Sequence, residues 1–224
     1  MALLSSEGTE RISQLVKEAE AESGGEISVT IIQESDDYAF RELLFGLVLG
    51  ILTYALLAVF INPLGRLVDK LFWSASALTL PLLMLTLSFI MGSIFYFLFQ
   101  IPALDRLIVG RKRMAEAVRR RALRHFVEAE TFNTVDRTGI LLFISNLERR
   151  VELIADRGIN SLVAPETWNE IVSNLVGGMK RKQTETALGT AIRAIGKVLS
   201  THVPRRSDDK NELSNKPTEL EKGS

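Results

Sequence analysis

The stretch GGEISVTIIQESDDYAFRELLFGLVLG, residues 24–50, decides how this chain folds. Its first half reads as a strand over residues 26–32, because Ile27, Val29 and Ile31 alternate with Ser28 and Thr30 in the period-2 pattern of a sheet. Its second half runs into an uncharged apolar segment. Residues 43–61, and again 77–104, contain no Asp, Glu, Lys, Arg or His. Each run exceeds or approaches the roughly 20 apolar residues that a bilayer-spanning helix needs. Helices apolar on every face need a large protein or a membrane to cover them, and 224 residues leave too little chain for the former. The expectation is a transmembrane helical hairpin over residues 42–104.

One strand and the helix before it, predicted over 9–23 with Ile12, Leu15, Val16 and Ala19 on one face, cannot close a core. The partners must come later. They are found in TGILLFISNLERRVELIADRGI, residues 138–159. Residues 139–145 form a nearly unbroken apolar run, as in a strand covered on both faces, and residues 150–155 alternate more, as in a less buried neighbour. A turn at 146–149 makes them a hairpin. Helices are predicted over 113–130, with Met114, Val118, Ala122, Leu123, Phe126 and Val127 along one face, from Pro165 onward and over 184–200, each of these also with an apolar face. The fold class is therefore α/β: a small mixed sheet flanked by helices, interrupted after its first strand by the membrane hairpin. Residues 1–41 and 105–203 form one discontinuous domain, and the polar segment 204–224 reads as a disordered tail.

Charge sets the orientation. The formal net charge is zero, yet Arg106, Arg111, Lys112, Arg113, Arg119, Arg120, Arg121 and Arg124 crowd the region after the second span, whereas the loop between the spans carries Arg66 and Lys70. The positive-inside bias puts the large C-terminal part in the cytoplasm, and two spans return the N-terminus to the same side. The start, MALLSSEGTERISQ, lacks the basic and apolar regions of a secretory signal peptide, so insertion is expected to be directed by the spans themselves. The arginine-dense segment lacks interleaved aromatics and adjoins a span. Anionic lipid head groups explain it better than nucleic acid.

Most catalytic chemistries are unsupported. There is no cysteine, and two histidines, His125 and His202, rule out a His-rich zinc site or an HExxH motif. His125 reads as a surface or domain-edge residue. No GxSxG elbow or GxGxxG fingerprint occurs. GTAIRAIGKV has six residues between its glycines where a phosphate loop has four, and it continues an apolar helix face. Within the spans, Gly46 and Gly50, and Ser88 and Gly92, lie one helical turn apart. Such pairs permit close helix packing, within the hairpin or between chains, though they also arise by chance in glycine-tolerant spans. The lack of ionisable residues in the spans argues against an ion pathway.

The succession SGGEISVTI, ALRHFVEAETFNTVDRTGILLFISNLERRVELIADRGI, PETWNEIVSNL, ALGTAIRAIGKVLSTHVP and DDKNEL resembles the TPM-domain family, in particular bacterial members with transmembrane segments. The resemblance covers the chain outside residues 42–104. It implies a TPM-like α/β sandwich anchored in a bacterial inner membrane. Among activities it implies acid-phosphatase chemistry, calcium binding, or assembly and repair of membrane complexes.

One polar constellation follows from the hairpin itself. A turn near Leu147 and Glu148 brings Asp136 and Asp156 to one rim of the sheet, with Arg137 and Arg157 beside them, and Glu26 joins if the first strand starts at that rim. Oxygen ligands there suit calcium or magnesium; they equally suit a salt-bridge network. Asp36 and Asp37, just before the first span, read as solvated or as a cation-binding run near the membrane. The expected function is that of a membrane-anchored accessory or binding protein, in contact with the bilayer and a membrane-protein partner or a second copy. The alternative is a metal-assisted phosphomonoesterase.

Overall fold

The computed structural model describes residues 4–72, 76–101, 106, 109–206 and 211–222. The chain divides into two compact units, one made of residues 1–36 and 112–224 and the other of residues 37–111.

The first unit is built on a four-stranded sheet. Helix α1 (Ser6–Glu20) leads into β1 (Ile27–Glu34); β2 (Ile140–Ser145) and β3 (Arg150–Ala155) form the expected hairpin. The sheet order is β3-β2-β1-β4, with β4 formed by Thr218–Lys222. Strands β1 and β2 run parallel, with Ile27 beside Ile140 and Ile31 beside Ile144, while β3 is antiparallel to β2. The strand before the apolar hairpin thus sits at the centre of a sheet completed by residues more than a hundred positions later.

Alternation along the strands sorts the core into two layers. Ile27, Val29, Ile31, Ile140, Leu142 and Ile144 face α1 and two C-terminal helices, Pro165–Lys180 and Thr184–His202. Ile32, Leu141 and Phe143 face the opposite way, against Val118, Ala122 and Phe126 of the helix Arg111–Glu128. All six residues of β2 are buried, whereas Val151 alone is fully buried on β3. This follows from their places, since β2 is central and β3 lies at an edge.

Two expectations about this unit are corrected. Helix α1 runs over 6–20 instead of 9–23, because the Ser5 hydroxyl accepts the Gly8 N–H at 2.9 Å and caps an earlier turn. The tail after residue 203 is not disordered over its described part. Thr218–Lys222 pairs parallel with β1, Thr30 opposite Thr218 and Glu34 opposite Lys222, and Leu220 packs on the smaller core layer. A polar sequence suffices there because an edge strand gains its main-chain bonds from its neighbour and needs few apolar side chains. Residues 207–210 and 223–224 of that tail lie outside the described residues.

The second unit holds helices Ala39–Val59, Ile61–Leu71 and Thr79–Phe99. The first and last are long and apolar enough to cross a membrane, and only 11% of the most apolar window of each is buried within the chain. The end of the expected second span, residues 102–104, lies outside the described residues. Much of the connection between them, read as a loop, is the helix Ile61–Leu71, with Val68 buried. We label the remaining helices α2 (39–59), α3 (61–71), α4 (79–99), α5 (111–128), α6 (157–160), α7 (165–180) and α8 (184–202).

Candidate functional site

The parallel pairing of β1 with β2 brings Glu26, Gly139 and Asp156 to one rim. The Ile140 N–H donates to the Glu26 carbonyl at 2.8 Å and the Asp156 N–H to the Gly139 carbonyl at 2.9 Å. Their carboxylates go to different partners. The Glu26 side chain, 6% exposed, accepts the N–H groups of Glu212 and Leu213 at 3.1 and 3.2 Å. Asp136 accepts from Arg206 at 3.4 Å. Asp156 caps α6 through Oδ1, which accepts the Arg157 N–H at 2.7 Å, and its buried Oδ2 lies 3.8 Å from the Arg137 guanidinium.

Calcium takes six to eight oxygen ligands, about 2.3–2.6 Å away. Here one carboxylate holds two amides and the other two face arginines. Among the described residues no three His, Cys, Asp or Glu side chains converge on a point that could hold a metal ion. Among the described residues the three carboxylates are held by separate partners. What the rim does is fasten the tail: Glu26 grips residues 212–213, the Glu212 carboxylate accepts the Val135 N–H at 3.2 Å, and Asn215 donates to Glu20. Replacing Glu26 by Ala strands two amides and should release the tail. We expect protease cleavage after residue 205 to accelerate, and about 1–3 kcal/mol of stability to be lost, read by chemical denaturation.

The other rim holds a buried polar cluster where the chain leaves for residues 37–111. Glu148, 5% exposed, accepts the Ser35 N–H at 2.9 Å and the Ser145 hydroxyl, while Ser35 donates its own hydroxyl to Ser145 at 2.9 Å. Reading the sequence marked Glu148 as a turn residue only; its burial comes from Ser35, 113 positions away. Asp36 beside it meets Arg120 at 3.1 Å.

His125 is not at the surface. It is 7% exposed, and its Nε2 lies 2.9 Å from the Thr30 hydroxyl on the central strand. Burial lowers its pKa, the Arg121 guanidinium lowers it further, and Glu128, 4.0 Å from Nδ1, opposes both. The folded protein therefore binds a proton less readily than the unfolded chain, whose histidine titrates near 6.5. Stability is fully present above that pH and falls as pH drops through it toward the lower folded value. His125→Gln should flatten this acid-side decline in a series of thermal melts. The Arg121 side chain beside His125 is 11% exposed and bound to Glu128 at 2.9 Å.

In the second unit, Gly46, Gly50, Ser88 and Gly92 meet where α2 and α4 pack. A Cβ on Gly46 would stand 2.9 Å from the Gly92 carbonyl oxygen, and one on Gly50 would stand 3.2 Å from that of Ser88. Close backbone approach of this kind requires small residues.

No family model matches the sequence, and no curated protein matches it either. The fold does have a counterpart among solved structures. The NMR structure of the BA42 protein from the psychrophilic bacterium Bizionia argentinensis sp. nov. is similar with a TM-score of 0.57 and 16% sequence identity, covering 96% of this chain and 94% of that one. At that identity the likeness establishes the fold: α/β with a small mixed sheet and flanking helices.

Proposed function

We propose that this chain is a membrane-anchored accessory protein of TPM-like fold, which presents its α/β domain to a partner at the cytoplasmic face of a bacterial inner membrane. The observation that carries the reading is the split sheet. Its central strand β1 precedes α2 and α4 and its other strands follow them, so a hairpin that crosses the bilayer twice is the insertion that leaves both halves on one side. The likeness to BA42, a TPM-domain protein, supports the fold assignment. The excess of Arg and Lys in α5 over the connection between the spans supports the orientation. Binding is favoured over phosphomonoester hydrolysis because the rim carboxylates are engaged by the tail amides and arginines.

Crosslinking and affinity purification of the intact protein from its native membrane, compared with a form in which residues 37–111 are replaced by a Gly/Ser linker, tests the function. A membrane-protein partner retained only by the intact form is expected. Robust phosphatase turnover that disappears in Asp156→Asn while the fold survives would replace the accessory reading. Orientation is tested in the cysteine-free background: an impermeant thiol reagent on intact cells should label Ser76→Cys and spare Thr201→Cys.

A further inference from the structure

Among the described residues helix α5 packs on one face of the sheet, and its composition is unusual. Seven Lys and Arg stand against two Glu in its eighteen residues. On the arc opposite the buried stripe of Met114, Val118, Ala122 and Phe126, however, two apolar side chains lie one turn apart: Leu123, 44% exposed, and Val127, 59% exposed. Arg119, Arg120 and Arg124 flank them, with side chains 62%, 66% and 57% exposed. Exposed aliphatic groups occur elsewhere in this unit, at Val135 and Leu162, so what sets this pair apart is the ring of cations around it. A face that rests on an anionic bilayer uses both, because the apolar pair enters the head-group boundary while the cations meet lipid phosphates.

We infer that the outer face of α5 docks on the anionic surface of the membrane in which the chain is anchored. The inference rests on the anchoring proposed above. Charge complementarity selects this occupant, and so does tethering: residues 100–110, eleven in all, separate α4 from α5. They reach at most about 40 Å when fully extended. A weak surface affinity is then amplified by the high effective concentration of lipid. The three arginines do have acidic neighbours, Glu152, Asp36 and Glu128. The arginine ends of these pairs are 57–66% exposed, and ion pairs in such surroundings contribute about 0–1 kcal/mol.

The test uses the full chain reconstituted into vesicles of phosphatidylcholine alone and of equimolar phosphatidylcholine and phosphatidylglycerol. A fluorophore is attached at Val127→Cys, at Thr190→Cys on the exposed surface of α8, or at Leu87→Cys within the apolar helix α4. Quenching by lipid-borne nitroxide is the readout. Leu87→Cys should be quenched in both vesicles and Thr190→Cys in neither. Val127→Cys should be quenched strongly only with phosphatidylglycerol. Removing Arg119, Arg120 and Arg124 together as Gln should lower the docked-to-free ratio by about fivefold per residue, and added salt should act in the same direction. Val127→Cys quenched no more than Thr190→Cys in either vesicle would overturn the inference and leave the face to solvent or a protein partner. Quenching indifferent to lipid charge and to the triple replacement would also overturn it. Loss of quenching at Leu87→Cys would remove the anchoring itself, and the docking with it.

Discussion

Deleting residues 1–36 is expected to abolish cooperative folding of the α/β unit, whereas replacing residues 37–111 by a flexible Gly/Ser linker should leave that unit soluble and folded. The two changes differ because β1 lies between β2 and β4. Without it β2 becomes an open edge and β4 has no neighbour, and the larger core layer loses Ile12, Val16, Ile27, Val29 and Ile31, all at most 2% exposed. With Leu4, 4% exposed, and Ile32 from the other layer, seven buried aliphatic side chains go. At about 1.5–3 kcal/mol each they represent roughly 10–21 kcal/mol as an upper bound. That matches or exceeds the roughly 5–15 kcal/mol by which a domain is stable. Circular dichroism melts and light scattering distinguish the outcomes. A truncated chain as soluble and cooperative as the linked one would refute the split-sheet account.

Exchange of glycine for alanine should have opposite effects at two positions of the linked protein. At Gly139, where the chain enters β2, an added Cβ would lie 1.9 Å from the Thr131 carbonyl oxygen, which is backbone and cannot swing aside. Moving the 131–139 loop would disturb the Thr138 hydroxyl bond to the Gly24 carbonyl at 2.9 Å and the start of the β1–β2 pairing. A loss of about 4 kcal/mol or more is expected, at the far end of what single substitutions do. That corresponds to about 10–20 °C in melting temperature. At Gly177, inside α7, the added Cβ meets nothing closer than the Arg181 guanidinium at 3.6 Å. There the change removes backbone freedom from the unfolded chain and should stabilise by about 0.4–1 kcal/mol. Equal effects at the two sites would mean that the close approach at Gly139 is not structural.

How far the fold was legible depended on the range of the interactions involved. Strands β1 to β3 announce themselves through alternation and apolar runs, and the α2/α4 pair through length and absence of charge. These are properties of neighbouring residues. Strand β4 does not, because TELEK is polar and acquires its conformation from β1. Glu148 looked like a turn residue and His125 like a surface one. Their burial is created by Ser35 and Thr30, 113 and 95 positions away. The rim showed the same division. Adjacency of Asp156 to the start of β2 followed from the hairpin turn, but the partners of the three carboxylates did not.

The sequence by itself determined that this chain alternates between a water-soluble sheet and an apolar hairpin, because burial in either medium demands a local pattern of side chains. Only the tertiary structure decided that the tail closes the sheet, that Glu26 holds the tail and that Leu123 and Val127 stay outside on a basic helix. Those outcomes depend on which distant groups satisfy a polar atom or cover an apolar one, and no local pattern encodes that.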